Sequence, residues 1–181
     1  MIVLVDGPSG SGKTTLATRL GILLRLPVIH MDDFYPGWSG LAAGSDIIAA
    51  SVLKTTDPGY YRWDWANDRA GEWVPVPPGA KIIEGAGAVT AETLWAASIS
   101  DPRVAAIMLT GEATTRYRRA MRRDPYYEPY WEMWAEQEKR HYAVQSQGLG
   151  DLVPTLWIDT TGLDAGQVVR RAYDFITYYV E

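Results

Sequence analysis

Gly7-Pro8-Ser9-Gly10-Ser11-Gly12-Lys13-Thr14 fits the pattern G-x-x-x-x-G-K-[ST] in full. Its surroundings are what that pattern requires. Ile2 to Val5 is a short, continuous apolar run that reads as a buried strand, and Asp6-Gly7-Pro8 ends it. From Thr14 onward, Leu16, Leu20, Leu23 and Leu24 recur at helical spacing until Pro27. A glycine-rich turn between a buried strand and a helix lets backbone N–H groups point inward around phosphate oxygens, where the helix N-terminus adds partial positive charge. Gly7, Ser9, Gly10, Ser11, Gly12, Lys13, Thr14 and Thr15 are therefore the candidate phosphate cradle. The Lys13 ammonium is expected on the β/γ-phosphates of a nucleoside triphosphate, and the Thr14 hydroxyl on Mg2+.

Working outward, strands are expected over 28–31, 81–84, 104–109 and 156–159, with helices over 44–55, 91–97, 113–123, 130–145 and 164–180. Strands that alternate with helices imply an α/β fold, a parallel sheet covered by helices on both faces. The 181 residues suit one domain. Within it, 57–79 breaks the pattern, with Pro58, Pro75, Pro77 and Pro78 among Tyr60, Tyr61, Trp63, Trp65 and Trp73. That segment reads as an excursion beside the sheet, whose rings either cap the core or bind a ligand.

Composition narrows the chemistry. Cysteine is absent, which excludes a disulfide scaffold and a cysteine nucleophile, and two histidines exclude a multi-His metal site. A net charge of -5 disfavours a nucleic-acid partner. No apolar run approaches the ~20 residues of a membrane helix, and the first residues show no basic leader. A cytoplasmic protein is expected, without nucleic-acid or membrane partners.

In an open parallel sheet, ligands bind beyond the carboxyl ends of the strands. Two such ends carry acids, Asp32-Asp33 after the second strand and Glu84 after the third. An acceptor hydroxyl needs an aimed carboxylate and Mg2+ needs oxygen ligands, so Asp32 and Glu84 are candidates for those two jobs. Asp33 is the alternative working residue, or caps the next turn. Tyr35 and Trp63 mark the side of the cleft expected to hold the acceptor. Arg116, Arg119 and Arg123 lie three and four apart, on one face of the helix at 113–123. Such a face suits a lid over transferring phosphates, or is a solvated surface countered by Glu128, Glu132 and Glu136. His30 and His141 read as structural or surface residues.

Taken together, GPSGSGKT, DDFY, IIEG and the arginine spacing that ends at Asp124 resemble the uridine kinase and nicotinamide riboside kinase group of P-loop kinases. Asp33-Phe34-Tyr35-Pro36-Gly37-Trp38 and Tyr61-Arg62-Trp63-Asp64-Trp65 look like a distinct bacterial branch of it. The resemblance implies a P-loop NTPase three-layer sandwich, nucleoside-kinase-like, with a five-stranded parallel sheet and an arginine-rich lid. It implies Asp32 as catalytic base, Glu84 at the metal, Arg116, Arg119 and Arg123 in a lid spanning 113–128, and an adenine site around residues 160–162, centred on Thr161. Asp64 falls where the group often has an acidic, aromatic-flanked segment touching the acceptor, within an acceptor-binding excursion over 36–80. The activity implied is ATP- and Mg2+-dependent transfer of a γ-phosphate to a hydroxyl of a nucleoside or similar sugar-bearing compound. The sequence leaves open whether the chain forms a homodimer. Alternative readings are a kinase acting on a nucleoside monophosphate or an antibiotic hydroxyl, and a non-catalytic nucleotide-binding regulator.

Overall fold

In a computed structural model, which describes residues 1–145 and 152–180, the apolar run before the glycine loop is a five-residue strand, β1 (Ile2–Asp6). Every one of its residues is buried, as a strand with neighbours on both sides and helices on both faces must be. The loop feeds α1 (Lys13–Leu24), followed by β2 (Val28–His30) and a single tight turn over Met31–Asp33. Next come α2 (Leu41–Ile47), β3 (Gly59–Asp64), β4 (Arg69–Pro75), β5 (Lys81–Glu84) and α3 (Ala91–Ser100). The chain continues through β6 (Val104–Thr110), α4 (Ala113–Arg123), α5 (Trp131–Gln145), β7 (Thr155–Asp159) and α6 (Ala165–Val180).

Five strands form one parallel sheet in the order β2-β5-β1-β6-β7. Alternation along each strand sorts the core into two halves. Ile2, Leu4, Ile83 and Met108 face one way, toward α2, α3 and α5, while Val3, Val5, Ile82 and Ile107 face α1 and α6. This is the three-layer α/β sandwich expected from the alternating pattern. Because β1 is central, the glycine loop leaves the sheet between two neighbouring strands, β5 and β6.

Two local expectations change. The helix expected over 44–55 begins earlier, at Leu41, and widens into a π turn over Ile48–Val52. The excursion at 57–79 contains an antiparallel hairpin, β3–β4, with Tyr61 edge-on to Trp73 at 5.1 Å and Arg62 bonded to Glu72 at 3.0 Å. Its prolines sit at or beyond the strand ends, where no ladder N–H is required, and so do not prevent pairing. Among the described residues, no helix is long and apolar enough to cross a membrane.

Candidate active site

Gly10 and Gly12 adopt left-handed backbone, with φ of +76° and +98°. A Cβ on Gly10 would collide with the backbone of Arg116, so the loop must be glycine there for α4 to approach it. Gly12 caps α1, and a glycine cap leaves no side chain over the first N–H groups of the helix. No acid lies in that first turn either. Those N–H groups and the partial positive charge behind them face an open hollow of about 330 Å3, lined by Gly10, Gly12, Lys13, Thr14, Arg119 and Arg123. The cradle suits phosphate oxygens. A neighbouring hollow of about 210 Å3 is lined by Ser11, Thr15, Leu16, Thr160 and Leu163, with Arg119 common to both.

The loop is clamped from behind. Glu138, on α5 and buried, accepts from both the Ser9 amide (2.7 Å) and the Ser9 hydroxyl (2.8 Å). Burial raises its pKa, and Lys13, the Ser9 bonds and Arg116 oppose that rise. The spacing of sequence motifs gives no hint of this residue. Nor does it reveal how Asp6 ties β1 to the turn after β5, by accepting from Gly87 N (3.0 Å), Val89 N (2.8 Å) and the Tyr142 hydroxyl (2.7 Å).

Beyond the loop, a narrow hollow of about 40 Å3 brings Lys13, Thr14, Asp32, Glu84 and Arg123 onto common walls. Asp32 arrives from the tight turn after β2, and Glu84 from the last residue of β5. Solvent reaches Asp32 through the cleft mouth, yet protein encloses it on its other sides. That enclosure raises its pKa, as does the Glu84 charge, whereas Lys13, Arg123 and His30 pull it down. His30 Nδ1 pairs with Glu84 Oε1 at 2.6 Å, a bond that raises the His30 pKa. His30 is therefore part of the site's charge balance. Among the described residues, no three His, Asp or Glu side chains form a metal cage. A Mg2+ held mainly by phosphates and waters needs only one or two protein oxygens, and Thr14, Asp32 and Glu84 are an all-oxygen set that fits.

The three arginines divide. Arg123 lines the narrow hollow. Arg119 grips Thr160, through Oγ1 (3.0 Å) and the carbonyl (2.8 Å), and lines both hollows beside the glycine loop. Arg116 turns inward instead. It donates to Ser9 O (2.9 Å) and Gly111 O (3.0 Å), with Glu138 at 4.0 Å, and so holds α4 to the loop.

On the far side of Asp32 opens a cleft of about 420 Å3. Six rings wall it: Tyr35, Trp38, Trp65, Tyr127, Tyr130 and Trp134. Tyr35 lies there as expected. Asp33, Trp63 and Asp64 are not brought to it. Asp33 accepts from the Tyr60 hydroxyl (3.2 Å), and Asp64 is used by the Asn67 amide (2.7 Å) in the hairpin turn. Trp65, in the turn just after β3, reaches over instead and donates Nε1 to Asp32 O (3.0 Å). Thr161 likewise turns away, bonding Asp159 (2.7 Å) and the Glu112 amide (2.8 Å), while Thr160 lines the hollow. Tyr127, Tyr130 and Trp134 come from the chain after the arginines, and their aromatic clustering was the available signal.

No protein-family model matches the chain, and no curated protein matches its sequence. Solved structures do match its fold. A gluconokinase from Sinorhizobium meliloti 1021 is similar with a TM-score of 0.60 at 16% identity, over 98% of this chain and 92% of that one. Shikimate kinase from Acinetobacter baumannii, in complex with shikimate, gives 0.60 at 14%, over 98% and 93%. A possible uridine kinase from Bacillus stearothermophilus gives 0.50 at 15%, over 86% and 88%. The chain has the P-loop kinase fold. The likeness extends to sugar kinases, a shikimate kinase and a possible uridine kinase alike, so it singles out no branch.

Proposed function

We propose that this protein is an ATP- and Mg2+-dependent small-molecule kinase that passes a γ-phosphate to a hydroxyl, with a nucleoside or similar ring-bearing alcohol as acceptor. The observation that carries the proposal is the narrow hollow. It gives Lys13 and Thr14 of the glycine loop, Asp32 and Arg123 a common wall, between a phosphate cradle and an aromatic cleft. A protein that only sensed nucleotide would need the cradle, and would not need an acid aimed into a second cleft.

In this reading Asp32 orients the acceptor hydroxyl and takes its proton at a carboxylate oxygen, which its raised pKa favours. Lys13 holds the β/γ oxygens, and Arg123 meets the charge on the transferring group. Arg119 fixes the turn at Thr160 beside the nucleotide. Mg2+, when bound through Thr14 with Glu84 or Asp32 nearby, neutralises phosphate charge. Arg116 and Glu138 hold the loop in shape, so that transfer is chiefly a matter of positioning. The test is direct. The purified chain, given labelled ATP, Mg2+ and a pool of alcohols, should form a phosphorylated acceptor, and no label transfer from any pool would refute kinase activity.

A further inference from the structure

We infer that the acceptor is an uncharged alcohol carrying a flat ring, and that the cleft discriminates against carboxylate- or phosphate-bearing acceptors. This rests on the kinase reading for the word acceptor, but the binding preference follows from the cleft itself.

The rings hold one another in place. Trp38 lies flat on Tyr130, with centroids 3.7 Å apart and planes 3° apart, and meets Trp65 at 4.9 Å and Tyr127 at 5.9 Å. Tyr35 meets Trp134 edge-on at 4.9 Å. Such mutual support fixes the wall before a ligand arrives, so little side-chain entropy is lost on binding. Three of the rings have already spent their polar atoms. The Tyr35 hydroxyl donates to Ala86 O (2.8 Å), the Tyr127 hydroxyl pairs with Ser9 Oγ (3.0 Å), and Trp65 Nε1 donates to Asp32 O. These rings present carbon to the cleft.

Besides the polar atoms of Trp38, Tyr130 and Trp134, the polar groups of the lining are Ser9, Asp32, Arg123 and Asp124. Ser9 is engaged by Glu138 and Tyr127, and Asp124 accepts from the Tyr126 amide (3.0 Å). The charge balance sets the filter. One cation faces two acids, and the hairpin cations stand elsewhere: Lys54 over Trp73 at 5.2 Å, Arg62 on Glu72, and Arg69 at 3.8 Å from Asp64. An acceptor carboxylate would meet Asp32 and Asp124 with no cation to spare.

The test uses matched pairs, titrated by calorimetry into the full chain with Mg2+ and an ATP analogue that cannot transfer phosphate. Phenyl β-D-glucoside and methyl β-D-glucoside share their hydroxyls and differ by one ring. Uridine and orotidine differ by one carboxylate. The phenyl compound should bind about tenfold tighter than the methyl one, as one stacked ring contributes, and uridine at least as much tighter than orotidine. Gluconate and shikimate should bind more weakly than the phenyl probe. Trp65→Ala, at an exposed hairpin tip, should lower phenyl glucoside affinity about tenfold and leave affinity for the ATP analogue unchanged. Equal affinities within either pair would overturn the inference, as would preferred binding of gluconate or shikimate, or no binding of either aryl probe at millimolar concentration. Because these are binding measurements, tight aryl binding without any phosphate transfer would sink the kinase reading and leave the cleft's preference standing.

Discussion

The Ser9 amide and hydroxyl both donate to one oxygen of Glu138, at 2.7 and 2.8 Å, across 129 residues of chain. The contact joins the start of the phosphate loop to α5, the helix that also carries Trp134 of the aromatic cleft. The glycine loop and the aromatic cleft are thus built on shared supports. Glu138→Ala leaves two Ser9 donors without their partner, and should cost roughly 1–3 kcal/mol of stability and raise the KM for ATP. Thermal melting together with ATP kinetics checks both effects. Unchanged values of each would mean that the clamp is dispensable.

Lys13→Ala removes the fixed ammonium from the cradle. Triphosphate affinity should fall and transfer should cease, while the fold is retained, since Lys13 bonds only Pro8 O, at 3.2 Å, among the described residues. Calorimetric titration with ATP reads the first effect and a label-transfer assay the second. Wild-type affinity would deny the loop its role.

Arg116 and Arg123 should respond in opposite ways. Arg123→Ala removes a charge from the narrow hollow and should lower kcat by about 10²-fold or more with little change in melting temperature. Arg116→Ala strips a shared donor from Ser9 O and Gly111 O, and should lower the melting temperature measurably. If Arg116→Ala alone reduced kcat at unchanged stability, the division between them would be wrong.

The division also marks what the sequence could and could not disclose. G-x-x-x-x-G-K-[ST] carries its own geometry, because glycines at fixed offsets dictate a backbone path, and the alternation of apolar runs dictates the layers. Spacing put three arginines on one helix face, but which of them faces the cleft depends on where that face meets the loop. Arg116 lies against Ser9 and so becomes a buckle. The hairpin was hidden because proline-rich, aromatic sequence shows no clean period-two pattern. Trp63 and Trp65 differ only by position along β3 and its turn, and no sequence pattern tells which of them tops Asp32. Glu138 is one of several acids on α5, distinguished only by burial.

The metal side and the proton side of the site should separate by titration. Glu84→Gln should increase the Mg2+ concentration needed for half-maximal activity, and disturb His30, whose pKa is held up first by its bond to Glu84. Asp32→Asn should leave ATP and acceptor binding intact and lower transfer by about 10²–10⁴-fold, the usual range for a general base. A magnesium titration that rescues Asp32→Asn but not Glu84→Gln would reverse the two assignments.

The pH dependence of Asp32 gives the last test, and its sign is fixed. Enclosure and the Glu84 charge raise the Asp32 pKa above 3.8, so the proton-accepting carboxylate is lost as pH falls through that raised value. The acid limb of kcat/KM should therefore lie above the ordinary carboxylate range. A raised folded-state pKa also means that the ionised group is held at a cost to stability above that pKa. Asp32→Asn should accordingly leave the melting temperature at pH 7 unchanged or higher, even as activity falls. His30→Asn removes a cation that lowers the Asp32 pKa and frees the Glu84 charge that raises it, two effects of the same sign. The acid limb should then move to still higher pH. A limb that stays put in His30→Asn, or moves downward, would show that the proton is taken elsewhere, and Asp33, beneath the Tyr60 hydroxyl, would be the next carboxylate to replace.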